Sequence, residues 1–250
     1  MARREIATRY AGSTAGLAWS FLTPVLMLTV YTFVFSEILG SRWGAPAQEG
    51  GKIQFALILF AGLIVLNLFS DVLNKAPSLI LINTNYVKKV IFPLEILPVV
   101  SMAVALFHAS ISLLVLIAAL SVFYQQIYWT ALLLPVVITP LVVLTLGMAW
   151  FLSSLGVYLR DVGQTIGMVT TLLMFLSPVF YPIESVPEKF RPYIMANPLT
   201  FIIEQTRAVL IWGQTPDWKG LSIYFCVSVL VAWGGFAWFQ KTRKGFADVL

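Results

Sequence analysis

The sequence predicts an all-α integral membrane protein that crosses the bilayer six times. Its 250 residues are 59% hydrophobic and 11% charged, with a mean hydropathy of +0.88, unlike a water-soluble globular domain. About 20 apolar residues are enough for a helix to cross the roughly 30 Å hydrocarbon layer. Six stretches meet or approach this length, and they lie near residues 19–38, 53–73, 96–123, 129–158, 164–181 and 221–240. Because Pro135 and Pro140 lie in the fourth stretch, we expect a kink or a dip at its outer end.

The distribution of lysine and arginine predicts the orientation. An even number of spans places both termini on one side, and cytoplasmic loops are enriched in Lys and Arg. With the termini inside, the cytoplasmic cations are Arg3, Arg4, Arg9, Lys75, Lys88, Lys89, Arg160, Lys241, Arg243 and Lys244. The opposite side holds fewer cations over longer connections, namely Arg42, Lys52, Lys189, Arg191, Arg207 and Lys219. We therefore predict cytoplasmic termini. The first ten residues lack the apolar core of a signal peptide and are expected to persist.

Residues 177–218 combine many prolines with apolar strings, between the predicted fifth and sixth spans. The prolines are Pro178, Pro182, Pro187, Pro192, Pro198 and Pro216. Each removes a backbone donor and disfavours helix in the residue before it, so no single spanning helix can run through this segment. Irregular backbone at membrane depth is tolerated only where protein or a water-filled path satisfies it. We therefore predict short helices that dip into the outer membrane surface at the mouth of a pore.

Two elements on the cytoplasmic side are predicted to be amphipathic. At ~100° per residue, Ile6, Tyr10 and Leu17 fall on one side of an N-terminal helix, and the polar and charged residues of its first turns lie opposite. This pattern indicates a helix lying at the membrane interface, either as a plain basic anchor or also in contact with a partner.

The second element lies in the connection 74–98, which contains the string NTNYVKK. Asn83, Thr84 or Asn85 could cap a short basic helix there, and Pro93 would end it. Ordering such a helix costs entropy unless it docks on something, so partner docking and a solvated surface helix are the two interpretations.

The residues for reaction chemistry are absent from the sequence. No G-x-x-x-x-G-K-[ST] phosphate loop occurs, so any ATP-driven work requires a partner. His108 is the only histidine and lies mid-span, which favours a hydrogen-bonded packing role over a metal site. Cys226 is the only cysteine and is expected to pack as a small apolar residue. Glu204 and Arg207 are three residues apart after Pro198, so we predict an ion pair that acts as a structural clasp. We predict no catalytic residues and no metal.

Aromatic side chains in the first and fifth spans are candidates to line a path. They are Trp19, Phe21, Tyr31, Phe33, Phe35, Phe175, Phe180 and Tyr181. Aromatic faces stack on sugar rings without a tight polar grip, which suits a polysaccharide that slides. For any one of these residues, a place in the lipid belt or between helices is the alternative.

Three sets of strings, in this order along the chain, resemble the membrane subunits of ABC-2 type polysaccharide exporters, the permeases for O-antigen, capsule and teichoic acid chains. They are REIATRYAGSTAGLAWSFLTP with YTFVFSEIL, then NTNYVKKVIFPLEILP, then YLRDVGQTI with SPVFYPIESVP and NPLTFIIEQTR. The resemblance spans nearly the whole chain. VKKVIFPLEILP and the pair Thr23 and Pro24 are more similar to O-antigen and teichoic acid permeases than to capsule permeases.

The resemblance implies one transmembrane domain over residues 1–250, in a bacterial inner membrane, that forms a homodimeric channel with two copies of a separate ABC ATPase. ATP and Mg²⁺ would belong to that partner. The residues that it assigns to ATPase coupling, in an interface helix and a coupling helix, are Arg3, Arg4, Arg9, Tyr10, Asn85, Tyr86, Lys88, Lys89 and Glu95. Two short helices within 182–212 would form an outer gate, whose assigned residues are Pro178, Pro182, Pro187, Pro198, Glu204 and Arg207.

The predicted function is export of a lipid-linked polysaccharide from the cytoplasm, with O-antigen as the substrate. Teichoic acid and capsule export are the alternatives within the family. A different class would be an ATP-independent secondary transporter or an intramembrane enzyme. The former is expected to show repeated halves and ionisable groups at the membrane midplane, and the latter needs clustered acids, bases or metal ligands.

Overall fold

The computed structural model describes residues 1, 2, 5, 16, 18–34, 51–88, 92–125 and 127–250. Throughout these residues the regular elements are helices, and no β-strand occurs among them, in agreement with the predicted all-α class. The predicted N-terminal interface helix lies outside the described residues.

The α-helices of the described residues are numbered in chain order. They are α1 (Ala18–Thr32), α2 (Gly51–Lys75), α3 (Leu79–Ile82), α4 (Thr84–Lys88), α5 (Ile96–Tyr124), α6 (Leu134–Tyr158), α7 (Val162–Leu176), α8 (Arg191–Met195), α9 (Pro198–Leu210), α10 (Trp218–Thr242) and α11 (Phe246–Val249). Shorter 3-10 helices lie at Ala76–Ser78, Trp129–Leu133, Ile183–Ser185 and Arg243–Gly245.

Four helical stretches of the described residues are long and apolar enough to cross a membrane. They are Ile53–Ile82, Ile96–Tyr124, Trp129–Tyr158 and Trp218–Val249, which match the predicted second, third, fourth and sixth spans. The predicted first and fifth spans correspond to α1 and α7, of 15 residues each. At ~1.5 Å per residue, such a helix is about 22 Å long, less than the hydrocarbon thickness. The number of six spans therefore stays a prediction.

Prolines account for the end of the predicted fifth span, which differs from its predicted bound, and for the form of the start of the fourth, whose bounds agree with the prediction. The fifth span was predicted to reach residue 181, but α7 ends at Leu176 and Ser177 is extended, with ψ of 146°. Pro178 explains this correction, because the residue before a proline is disfavoured in the α region. The fourth span begins with the 3-10 turn Trp129–Leu133 rather than with α-helix, and Pro135 occupies the first turn of α6. A proline is tolerated there because that N–H has no partner within the helix.

Helix α2 is the centre of the packing. It contacts α1, α5, α6, α7 and α9, and it contributes many of the buried side chains of the main apolar cluster. Its Ile58, Leu59 and Phe69 have no exposed surface. Helix α2 is therefore enclosed by protein, whereas α1 and α7 present large exposed apolar side chains.

Helices α6 and α10 form the most extensive pair, and they meet at two glycines. A methyl group built on Gly235 would overlap the carbonyl oxygen of Gly147, and one built on Gly147 would overlap the backbone of Ala232. Small residues allow helix backbones to approach closely, which is a main source of helix association in lipid. These two glycines therefore set the distance between α6 and α10.

The chain offers a matched test of this contact. Gly235→Ala should destabilise the protein by about 1–3 kcal/mol, because the added methyl group overpacks the α6–α10 interface. Gly234→Ala adds the same group where no atom lies within 4 Å, so it should be neutral or stabilising by up to about 1 kcal/mol through helix propensity. Thermal unfolding of both variants in detergent measures the difference, and equal melting temperatures would contradict the glycine contact.

Candidate functional site

Two connections carry the residues of interest, and they lie at opposite ends of the long helices. The basic loop (residues 76–95) joins α2 to α5, and it lies at the end where α6 and α10 finish. The proline segment (residues 177–217) joins α7 to α10, and it lies at the end where α6 and α10 begin. A signal between them would have to travel along the helices.

The first residues of the basic loop, Ala76–Ser78 and Leu79–Ile82, pack against α6. Its 3-10 turn lies on Gly156, where a methyl group would overlap the carbonyl of Pro77. Helix α4 (Thr84–Lys88) occupies the position of the predicted coupling helix, and Tyr86 stacks on Phe92 with ring centroids 4.8 Å apart. Of the three suggested caps, Asn83 instead donates its side-chain amide to the carbonyl of Leu79, 2.8 Å away. The loop thus contains a short helix that is packed onto the body of the protein.

Glu95 closes the basic loop through two contacts. Its carboxylate oxygen Oε2 lies 2.9 Å from Nη1 of Arg243, just beyond the end of α10. Its backbone carbonyl accepts a hydrogen bond of 2.9 Å from the indole Nε1 of Trp150 on α6. The carboxylate that was predicted for ATPase coupling is therefore engaged within the chain.

The other predicted coupling residues are placed unevenly. Asn85 is exposed on α4, and Tyr86 is half-buried. The backbone of Lys88 belongs to α4. Arg3, Arg4, Arg9, Tyr10 and Lys89 lie outside the described residues. Their roles stay predictions.

Side-chain hydrogen bonds fold the proline segment into a fixed shape. Asn197 caps α9 by accepting from the N–H of Leu199 at 2.9 Å, and its amide donates to the hydroxyl of Ser177, also at 2.9 Å. Arg191 closes the preceding turn by donating to the carbonyls of Val186 and Glu184, each at 2.9 Å. Thr130 donates to the carbonyl of Val209 at 2.7 Å. These bonds supply the partners that irregular backbone needs away from water.

Arg207 is the deepest charged group of the segment, with no exposed surface. Its Nη1 pairs with Oε1 of Glu204 at 2.7 Å, as the i, i+3 spacing predicted. Its Nε donates to the carbonyl of Ile58 at 3.2 Å, and its Nη2 donates to the carbonyl of Val179 at 3.1 Å. The guanidinium therefore joins α9, α2 and the chain just after α7.

The four predicted gate prolines differ in environment. Pro178 is buried, Pro187 is exposed, and Pro182 is half-buried. Pro198 occupies the first turn of α9, where its missing N–H costs nothing, and its carbonyl accepts from the hydroxyl of Tyr224 on α10 at 2.9 Å. The segment contains two α-helices, α8 and α9, and a further 3-10 turn at Ile183–Ser185.

The predicted path-lining aromatics divide into groups. Trp19 and Tyr31 border a cavity of about 480 Å³ between α1, α2 and α5, which also exposes Asn67, Asp71 and His108. Phe21, Phe33 and Phe175 are exposed on α1, just after it, and on α7.

Of the remaining three aromatics, two make contacts within the chain. Phe180 packs against the main core, and the hydroxyl of Tyr181 donates to the carbonyl of Phe175 at 3.1 Å. Phe35 lies outside the described residues.

Comparison with known protein families identifies the family to which this chain belongs. The model of the ABC-2 type transporter membrane domain matches residues 1–211, a range that includes both the basic loop and α9. This chain belongs to the ABC-2 type transporter family. Its membership agrees with the resemblance drawn from the short strings, and it makes the chain a membrane component of a transporter.

Named relatives of this ABC-2 protein align over nearly its full length. The O-antigen export system permease protein RfbA of Myxococcus xanthus is 28% identical over 250 residues, covering 99% of this chain and 93% of that protein. RfbA of Klebsiella pneumoniae is 25% identical, covering 99% and 92%. The polysialic acid transport protein KpsM of Escherichia coli is 23% identical, covering 96% and 91%.

Sequence reasoning missed the contribution of the C-terminal residues of this ABC-2 protein. Arg243 was counted only as one cytoplasmic cation, and Phe246 was not considered. The string KGFADVL places Phe246, Val249 and Leu250 at helical spacing after the last span. That pattern could have indicated a short helix that docks.

The buried ion pair of this ABC-2 protein is testable. Glu204→Gln should lower the free energy of unfolding by about 1.5–3 kcal/mol, because Arg207 keeps its buried charge but loses its charged acceptor. Glu188→Gln makes the same chemical change at an exposed position of the proline segment and should leave stability within about 0.5 kcal/mol of wild type. Thermal melting of the purified variants measures these changes in stability. An equal loss of stability in both variants would argue against a stabilising Glu204–Arg207 pair.

Proposed function

We propose that this chain is the channel-forming subunit of an exporter that moves a lipid-linked polysaccharide, of the O-antigen class, out of the cytoplasm. The whole of residues 1–250 acts as one transmembrane domain in the bacterial inner membrane. Two copies form the channel, and two copies of a separate ABC ATPase bind and hydrolyse ATP with Mg²⁺. The chain itself is a transport subunit and not an enzyme.

One observation carries this proposal. Proteins named O-antigen export permeases align with 99% of the chain and with more than nine-tenths of their own length. The family match and the helical architecture agree with a transport role, and the aromatic exposure on α1 and α7 fits a sugar-chain substrate.

The charges support cytoplasmic termini. The end of the bundle that carries the basic loop also carries five cations at or just after the ends of α2, α6 and α10, namely Lys75, Arg160, Lys241, Arg243 and Lys244. Cations concentrate on the cytoplasmic side of membrane proteins. The basic loop then faces the ATPase, and the proline segment faces outward.

The path is proposed to form between two copies. Helices α1 and α7 both pack on α2, and they present exposed aromatic rings away from it, including Phe21 and Phe175. Facing copies would enclose these rings, and the proline segment would close the outer mouth. Rings that stack on sugars without tight polar contacts allow a long chain to slide.

Capsule export is the second candidate, favoured by the alignment with the polysialic acid transport protein KpsM over 96% of the chain. The two substrates share a polysaccharide body and differ in sugar composition and carrier lipid. An export assay that supplies each glycolipid separately therefore distinguishes the two candidate substrates.

Reconstitution tests the function. The chain is co-purified with a candidate ABC ATPase partner and placed in vesicles that hold either a lipid-linked O-antigen or a capsule glycolipid. We expect ATP-dependent translocation of the O-antigen, measured by access of an enzyme or lectin to the polysaccharide. Translocation of the capsule glycolipid alone would select the second candidate. Translocation without ATP or ATPase would instead favour a secondary transporter.

The coupling helix is tested by charge reversal. Lys88→Glu with Lys89→Glu should weaken binding of the ATPase at least about tenfold, because the basic pair is proposed to meet an acidic surface. Affinity is measured by titrating labelled ATPase into the solubilised subunit.

The matched control is Lys189→Glu with Lys219→Glu, which makes the same charge change at the opposite end of the bundle. It should leave the affinity unchanged. Equal affinities for both double variants would count against docking through α4.

A further inference from the structure

The C-terminal segment of the chain, residues 242–250, folds back onto the basic loop. After α10 the chain continues through the 3-10 turn Arg243–Gly245 into α11. Phe246 has no exposed surface and belongs to a second apolar cluster with Ile80, Leu94 and Phe239, against which Tyr86 of α4 packs. This cluster is separate from the main core around α2, and it joins the tail, the basic loop and the end of α10.

Polar contacts surround this cluster on two sides. Arg243 bonds the Glu95 carboxylate at 2.9 Å, and its Nη2 lies 3.5 Å from the carbonyl of Phe92. On the other side, the Tyr158 hydroxyl donates to the carbonyl of Thr242 at 2.9 Å, and the Ser154 and Thr242 hydroxyls lie 2.6 Å apart. The end of α10 is therefore attached to both the basic loop and α6.

The Glu95–Arg243 pair is more important for the position of the basic loop than for the stability of the fold. The two side chains are 26% and 35% exposed, and partly exposed pairs contribute little to folding. Their geometric effect is larger, because residues 148 positions apart in sequence are held at one point. The pair fixes where the loop that carries α4 lies relative to α10.

The opposite end of α10 contacts the proline segment. Tyr224 donates to the carbonyl of Pro198, and its ring stacks on Phe201 of α9 with centroids 6.0 Å apart. The N–H of Asp217, which caps α10, donates to the side chain of Gln205 on α9 at 2.8 Å. Between these ends α10 is one uninterrupted helix of 25 residues, about 37 Å long.

We propose that residues 242–250 are a clamp that holds the basic loop on α10, and that α10 carries movements of the loop to the proline segment. The clamp residues are positioning residues: Arg243 acts through Glu95, and Phe246 acts through the apolar cluster. This inference rests on the proposed function, because it takes the ATPase to be the source of movement at α4. It adds the route by which that movement reaches the outer end.

Spatial continuity alone does not establish coupling, so the test measures the coupling itself. The readout is the number of polysaccharide chains exported per ATP hydrolysed by the reconstituted complex. If residues 242–250 only stabilise the fold, their loss lowers export and ATP hydrolysis together. If they are a clamp, ATPase binding and hydrolysis persist while export per ATP falls.

The first experiment reverses the two charges separately and together. Glu95→Arg and Arg243→Glu should each lower export per ATP about fivefold or more, within the range of measured coupling between sites. The double variant Glu95→Arg with Arg243→Glu restores the pair in swapped order and should return the ratio to within about twofold of wild type. Lys241→Glu is the control, because it makes the same charge change as Arg243→Glu at an exposed position two residues earlier.

A second experiment works on a single folded preparation. Cys226 is the only cysteine, so Cys226→Ser provides a cysteine-free background for Glu95→Cys with Arg243→Cys. The complex is assayed before and after the two thiols are joined by a short bismaleimide. We expect low export per ATP before joining and recovery after it.

An unchanged ratio in the charge-reversal variants, or equal ratios before and after joining, would overturn the clamp. Absence of ATP-dependent export in the wild-type complex would instead overturn the proposed function, so the two failures are distinguishable.

Discussion

The placement of the Arg207 guanidinium is the constraint on which the end of the molecule with the proline segment depends. The proline segment brings irregular backbone against α2, and the carbonyl of Val179 in that stretch accepts from Arg207. An unsatisfied carbonyl at such a position would cost several kcal/mol. Gly62 leaves room for the guanidinium, because a methyl group there would lie 3.1 Å from its Nη2. Because the Glu204 carboxylate offsets its positive charge, the buried Arg207 guanidinium can donate hydrogen bonds to backbone carbonyls.

This constraint determines how the proline segment can move. Arg207 donates to the carbonyl of Ile58 on α2, and Asn197 donates to the hydroxyl of Ser177. Thr130, in the 3-10 turn before α6, donates to the carbonyl of Val209 on α9. Breaking these bonds one at a time would leave buried polar groups without partners, at about 1–3 kcal/mol each. A rearrangement that keeps these bonds intact therefore has to move the segment together with the part of α2 around Ile58 and the 3-10 turn Trp129–Leu133.

The sequence predicted the features that depend on local pattern. Hydropathy located four long helices, and the i, i+3 spacing of Glu204 and Arg207 predicted their ion pair. It could not predict that Arg207 bonds Ile58, 149 positions away, or that Glu95 bonds Arg243. Periodicity shows which residues share a face, but in a chain that is apolar all round it does not show which faces meet. The contact of Gly147 with Gly235 was missed for the same reason, since neither glycine lies in a motif.

The unequal packing of the helices bears on where a path could widen. Helix α10 approaches α6 at the two glycines and is fixed at both ends by hydrogen bonds, so the α6–α10 pair is the rigid part of the described chain. Helices α1 and α7 instead pack on α2 along one side and leave large aromatic and aliphatic side chains exposed on the other. Lipid tails and a second copy can cover these faces equally well, because no hydrophobic driving force separates the two in a bilayer. Replacing a second copy by lipid on these faces of α1 and α7, or the reverse, breaks no buried hydrogen bond. In the proposed channel, widening for a bulky chain therefore has its lowest barrier at α1 and α7, while α6 and α10 stay in contact and move as one unit.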